Sequence, residues 1–225
     1  MEIYVRKKKF KRVLRSIDAP FSDFVDDMIG NPYHTRKYLF FGKPVTQASI
    51  RSSFYFALLS KYVDLDKVSS IMDIGGGFGA LTGRIGLRYP QMKLYFVDLP
   101  EYCILAYYYL ETKLGNAELI YQDSTTKSCR VSILLPWVIS NINEPVDLCI
   151  NTASFQHMQA PNFHFYFSQL QRLRVKMIFS VNREIAGKCE DPYLDYITEY
   201  GYKLEMRVQL SQYWKKMYVN IFRLQ

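Results

Sequence analysis

At 225 residues, 49% of them hydrophobic and 22% charged, the chain can bury one continuous core and has neither the composition of a disordered protein nor that of a disulfide-stapled one. The net charge of +8 accompanies no apolar run of the roughly 18 residues needed to span a bilayer, and the basic start lacks the apolar stretch of a secretory leader. Both features predict a cytoplasmic location with no transmembrane segment.

In chain order, much of the positive excess lies in Arg6, Lys7, Lys8, Lys9, Lys11, Arg12 and Arg15. Such a run is either a solvated helix face or a long-range attractor of nucleic acid, anionic lipid or an acidic substrate. Tyr33, His34, Tyr38, Phe40 and Phe41 then crowd between Pro32 and Pro44. The chain is therefore divided into a basic and aromatic extension or lid over residues 1–45 and a second domain over residues 46–225.

Thr46 is a good N-cap, and Ile50, Phe54, Ala57, Leu58 and Tyr62 follow helical spacing as one apolar stripe. Gln47 and Arg51 fall elsewhere on that helix. Ser69 to Ile74 reads as a short strand that breaks into Gly75, Gly76, Gly77 and Gly79, followed by a helix that ends at Tyr89-Pro90. Lys93 to Val97 reads as a second buried strand, and Leu99 to Leu114 as a helix opened by Pro100 and closed by Gly115.

Further strands are expected at Ala117–Tyr121, Val146–Ile150 and Val175–Val181, with an aromatic helix over Asn162–Leu173. Val131–Ile142, interrupted by Pro136, reads as a connector near the sheet edge. Tyr202–Val208 and Met217–Leu224 read as a terminal antiparallel hairpin. Strands separated by helices predict an α/β, Rossmann-like fold, a mostly parallel central sheet with helices on both faces. Cys103, Cys129, Cys149 and Cys189 have neither close pairing nor metal-ligand spacing, so no metal is expected.

The chemistry sits at the first strand-to-helix junction. Glycines there permit a tight turn and let a ligand lie against backbone N–H groups. Gly75-Gly76-Gly77-Phe78-Gly79-Ala80 also fits the dinucleotide pattern G-x-G-x-x-A. Asp98, nineteen residues beyond Gly79, suits a nucleotide ribose. On these residues alone, NAD and S-adenosylmethionine both remain open.

Met72-Asp73-Ile74-Gly75-Gly76-Gly77-Phe78-Gly79 resembles motif I of class I methyltransferases, in which an acid stands two residues before the first glycine. Val97-Asp98-Leu99-Pro100 resembles the following motif of small-molecule O-methyltransferases. The resemblance implies S-adenosylmethionine as cofactor on Asp73, Gly75, Gly76 and Gly77, with Asp98 on the ribose and Leu99 beside the adenine. Asp123 and Ser124, in Tyr121-Gln122-Asp123-Ser124, take the position from which this family contacts adenine. Val146 to Met158 is similar to the segment of bacterial sugar O-methyltransferases in which a strand ending in Asn leads into a Ser-Phe-Gln-Glu-Met-like turn. That likeness implies a cofactor role for Asn151, and His157 stands here where the pattern has an acid.

A hydroxyl acceptor must lose its proton, and a histidine is suited to take it near neutral pH. His157 is the leading base, ahead of His34 and His164, because ligands bind at the carboxyl edge of such sheets. Tyr33, Gln47, Arg51, Gln156 and Asn182, the last in Asn182-Arg183-Glu184, are candidate substrate contacts, with the cofactor carboxylate as the alternative partner of Gln47 and Arg51. The implied reaction is methyl transfer to a hydroxyl of a small molecule or sugar.

Three other readings compete. A nucleic-acid methyltransferase suits the charge but lacks an Asn/Asp-Pro-Pro-Tyr/Phe sequence after the fourth strand. An NAD-dependent oxidoreductase or epimerase lacks the Tyr-x-x-x-Lys pair. A cofactor-binding but inactive partner subunit is the third.

Overall fold

The computed structural model describes residues 37–40, 43–121, 129–183, 193–210 and 217–225. Two short strands, β1 (Lys37–Phe40) and β2 (Lys43–Thr46), pair antiparallel ahead of helix α1 (Gln47–Tyr62). The 45/46 boundary thus falls inside β2. The helix starts where the N-cap predicts, with the Ser49 N–H donating to Thr46 Oγ1 at 3.1 Å. Most of α1 is buried, Ser49, Ser52 and Ser53 included, and the Ser52 and Ser53 hydroxyls donate to the Ser49 carbonyl. That local bonding satisfies their polarity and lets the helix pack on several sides.

The main sheet has eight strands: β3 (Ser70–Ile74), β4 (Lys93–Val97), β5 (Ala117–Ile120), β6 (Val131–Leu134), β7 (Leu148–Thr152), β8 (Met177–Arg183), β9 (Tyr202–Gln209) and β10 (Met217–Leu224). Their spatial order is β5-β6-β4-β3-β7-β8-β10-β9. Pairings from β5 through β8 are parallel, while β10 runs antiparallel to both β8 and β9, which makes the expected C-terminal hairpin. Helices α2 (Ala80–Arg88), α3 (Pro100–Leu114), α4 (Ala160–Arg172) and α5 (Tyr193–Glu199) complete the described elements.

The chain winds outward from β3 through β4, then restarts at β7 on the other side of β3. Right-handed crossovers in opposite directions put the two helical groups on opposite faces. Accordingly α2 packs with α1 and α3, and α4 packs with α5. Burial on both faces explains why β3, β4 and β7 carry continuous apolar runs without alternation: Ile71, Met72, Leu94, Phe96, Leu148 and Ile150 are all buried. The crevice between the ends of β3 and β7, where the winding reverses, is where such sheets bind ligands.

One expectation is corrected. Val131–Ile142 is not a connector: its first four residues form β6, fully buried between β5 and β4. A buried strand this short has no alternation to mark it. Pro136 lies beyond the strand and opens a 3-10 turn over Pro136–Asn141. The strand at this edge of the sheet is β5, while Leu135 follows the strand that neighbours β4.

Among the described residues no helix is long and apolar enough to cross a membrane, and no cluster of His, Cys, Asp or Glu is arranged to hold a metal ion. Cys103, Cys129 and Cys149 are free and buried.

Candidate active site

The glycine loop is shaped from below and from the side. Gly75 has φ +73°, and a Cβ there would lie 1.9 Å from Ser154 Oγ, so the turn after β7 seats directly on the loop backbone. At Gly76 a Cβ would meet Phe96 and the Asp73 carboxylate at 2.5 and 2.6 Å. Gly77 differs: at φ +66° a Cβ would meet nothing within 4 Å, so its Cα looks into open space. The Gly75 N–H donates to the Val97 carbonyl at 2.7 Å and the Gly77 N–H to Asp98 Oδ2 at 2.7 Å, which ties the loop to the end of β4.

Asp73 lies under this loop, fully buried. Thr82 Oγ1 donates to its Oδ2 at 2.5 Å, while Oδ1 has no hydrogen-bond partner. Burial pushes its carboxyl up to about 7, the Thr82 hydrogen bond opposes this, and the nearby Asp98 adds to it. Asp98 is half-buried and accepts the Gly77 and Leu99 N–H groups, both at 2.7 Å. Burial raises its pKa, those two hydrogen bonds pull it down, and Glu101 raises it further.

A chain of amides fixes the opposite wall. Asn151 Nδ2 donates to the Ile74 carbonyl at 2.7 Å, and its Oδ1 accepts from the Phe155 N–H and from Asn182 Nδ2. Asn182 Oδ1 in turn accepts the Gln156 N–H. The ends of β3, β7 and β8 are thereby locked together around the 3-10 turn Phe155–His157. Ala153 enters this turn at φ 58°, a left-handed conformation that costs a non-glycine residue ~1 kcal/mol, and is held there by its N–H bond to the Val181 carbonyl at 2.8 Å.

These walls enclose a cleft of about 470 Å³ lined by the glycine loop, by Ala48, Arg51, Ser52 and Tyr55 of α1, by Asp98, Leu99 and Tyr102, and by Thr152, Ala153, Ser154 and His157. Its size suits a small ligand. Leu99, 52% exposed, offers an apolar surface beside Asp98. Gln156 Oε1 accepts the Arg183 N–H at 2.8 Å, which leaves its amide nitrogen facing His157 Nε2 at 2.9 Å. An amide nitrogen only donates, so in this arrangement His157 Nε2 accepts and the neutral ring carries its proton on Nδ1.

Of the residues expected from sequence, Gly75, Gly76, Gly77, Asp98, Leu99, Arg51 and His157 meet in this cleft. Asp73 supports it from beneath. Asn151 and Asn182 are buried, with their side-chain amides engaged by protein partners, and they position the turn. Gln156 buttresses His157. Gln47 is the first residue of α1. Tyr33, His34, Asp123 and Ser124 lie outside the described residues. His164 hydrogen-bonds Tyr200 at 2.9 Å on the α4–α5 side and does not line the cleft. Tyr55, Ser154 and Tyr102 were missed. Tyr55 had a signal: it follows Arg51 by one helical turn and so shares its face.

Residues 46–122 match the family model of the O-methyltransferase domain. No curated protein matches the sequence. Among solved structures, the mitomycin 7-O-methyltransferase MmcR aligns at TM-score 0.54 and 12% identity, over 78% of this chain and 57% of its own. A protein from Pyrococcus horikoshii OT3 aligns at TM-score 0.57 and 13% identity, over 79% of this chain and 92% of its own. PigF, solved with SAH, aligns at TM-score 0.50 and 15% identity, over 76% and 61%. The fold is that of the class I methyltransferases.

The chain spans less than two thirds of the length of MmcR and PigF. The cofactor of this methyltransferase fold is S-adenosylmethionine, and the cleft fits it. Open space above Gly77 leaves room for a ligand over the loop, and the buried Asp73 beneath it keeps one carboxyl oxygen without a hydrogen-bond partner. Asp98 and Leu99 line the cleft beside the glycine loop.

Proposed function

We propose that this chain transfers a methyl group from S-adenosylmethionine to a hydroxyl of a small molecule or sugar, with His157 as general base. The observation that carries the reading is the meeting of His157, the glycine loop and Asp98 in one cleft. Residues 46–225 are read as the methyltransferase domain and residues 1–45 as its extension or lid, the family match beginning at residue 46.

When bound, S-adenosylmethionine supplies an electrophilic methyl group. The protein's part is to hold the acceptor oxygen in line with it and to take the acceptor's proton. Backbone N–H groups of the loop, Asp98 and Leu99 orient the cofactor end, with Asp123 and Ser124 read as further adenine contacts. His157 takes the proton at Nε2, the nitrogen now occupied by the Gln156 amide. The acceptor hydroxyl therefore replaces that amide, which places Gln156 as well as His157 against the acceptor. The Asn151–Asn182 amide chain holds the turn still while this exchange occurs.

The test is methyl transfer to a panel of phenols, catechols and sugars, followed by mass spectrometry, for the wild type and His157→Ala. The reading expects a methylated product from the wild type and a rate lowered by about 10²–10⁴-fold in the variant, with S-adenosylhomocysteine affinity unchanged. Equal rates would remove His157 as the base. An NAD-dependent redox product would replace the reaction itself.

A further inference from the structure

Walking along the carboxyl edge of the sheet separates the cleft into two halves. Asp98 follows β4, the glycine loop follows β3, His157 follows β7, and Arg183 ends β8. Three strand spacings, ~14 Å, separate β4 from β8. Arg183 therefore stands on the far side of His157 from the ribose position, on the acceptor side.

Arg51 and Tyr55 line this part of the cleft, and Arg183 lies within electrostatic reach of Tyr55. Arg51 projects from α1 into the cleft, is exposed, and forms no ion pair or hydrogen bond with any described residue. Arg183 is exposed, and its side chain has no ion-pair partner among the described residues. Tyr55 is 95% buried, being only 5% exposed, yet it lines the cleft and its hydroxyl makes no hydrogen bond to a described residue. Burial raises the Tyr55 phenol, and the Arg51 and then the Arg183 guanidinium lower it, so both cations lie close enough to act on the same hydroxyl. Asp98, on the cofactor side, is the one carboxylate lining the cleft among the described residues. Two guanidinium groups with no ion-pair partner among the described residues, acting on one buried phenol, suit an anion.

We infer that the acceptor half of the cleft binds an acid group, a carboxylate or phosphate carried by the hydroxylated acceptor, through Arg51, Arg183 and the Tyr55 hydroxyl. The inference rests on reading the cleft as a methyl-transfer site, and it narrows the acceptor to an anionic alcohol or phenol. The Tyr55 hydroxyl donates to the bound anion, while His157 faces the hydroxyl to be methylated.

The experiment is a calorimetric titration of the full chain, with and without saturating S-adenosylhomocysteine, using two matched pairs of probes. These are 3,4-dihydroxybenzoate against catechol, and glucose 6-phosphate against glucose. The expected result is that one anionic probe binds at least tenfold more tightly than its neutral partner, and which pair shows it identifies the carboxylate or the phosphate. Arg51→Gln and Arg183→Gln should each remove most of that preference, and Tyr55→Phe part of it, with S-adenosylhomocysteine affinity unchanged within about twofold. No preference in either pair, or a preference that survives both arginine variants, overturns the inference. Loss of S-adenosylhomocysteine affinity in Arg51→Gln also overturns it, by giving Arg51 to the cofactor. A wild type that fails to bind S-adenosylhomocysteine would refute the methyltransferase reading instead, and the titrations without that ligand would still decide the anion site.

Discussion

The two halves of the cleft are built differently. On the side proposed for the cofactor, the Gly75 N–H is bonded to the Val97 carbonyl and the Gly77 N–H to the Asp98 carboxylate, and Gly75 and Gly76 leave no slack around Ser154, Phe96 and Asp73. On the acceptor side, Arg51, Tyr55 and the Arg183 side chain have no hydrogen-bond partners among the described residues, and His157 is exposed. A site that binds a common cofactor can be finished in advance. A site that selects an acceptor keeps its polar groups free until the acceptor satisfies them.

Substitutions on the two sides should therefore fail in different ways. The largest effect is expected at Gly75→Val. It puts a β-branched side chain at φ +73°, with its Cβ on top of Ser154 Oγ, and should cost about 3–5 kcal/mol, seen as loss of the cooperative urea transition and of S-adenosylhomocysteine binding together. Next, Asn151→Ala removes a buried amide that joins three strand ends, and should destabilise by ~2–3 kcal/mol. Because it frees the His157 turn, it should also lower methyl transfer by more than it weakens cofactor binding.

Asp73→Asn tests the buried acid. Its folded pKa of about 7 exceeds the ordinary carboxyl value of 3.8, so between these values the folded state holds a proton that the unfolded state has released. The stability that Asp73 contributes is then full below about pH 4 and is lost as pH rises through about 7. The variant lacks this slope. Measured by urea unfolding, its stability relative to the wild type should rise by ~4 kcal/mol from pH 4 to pH 8, and a constant difference would contradict the assignment. The smallest effect is expected at Leu99→Ser, which removes an exposed apolar surface and should weaken S-adenosylhomocysteine by about tenfold or less without altering the urea midpoint.

Much of the cofactor half was legible in the sequence. Tight turns require glycine, and an acid at the end of a buried strand is conspicuous, so Asp73, Gly75 and Asp98 could be read by type and spacing. The roles of Asn151 and Asn182 were less legible, because a polar residue at a strand end has the same appearance whether it faces a ligand or bonds its neighbours. Only the register of β3, β7 and β8 showed that these amides close on each other. Strand β6 was lost to its shortness and to the proline nearby. Tyr55 is hard to find in the sequence because a tyrosine on a buried helix reads as core, and only the tertiary packing shows that it lines the cleft.

The central claim is tested most directly by titrating the full chain with S-adenosylhomocysteine and with NAD, in the wild type and in Asp98→Ala. The account predicts one saturable site for S-adenosylhomocysteine, no heat with NAD, and an affinity lowered by at least tenfold in the variant. Saturable NAD binding with no S-adenosylhomocysteine binding, or an Asp98→Ala affinity equal to that of the wild type, would contradict it.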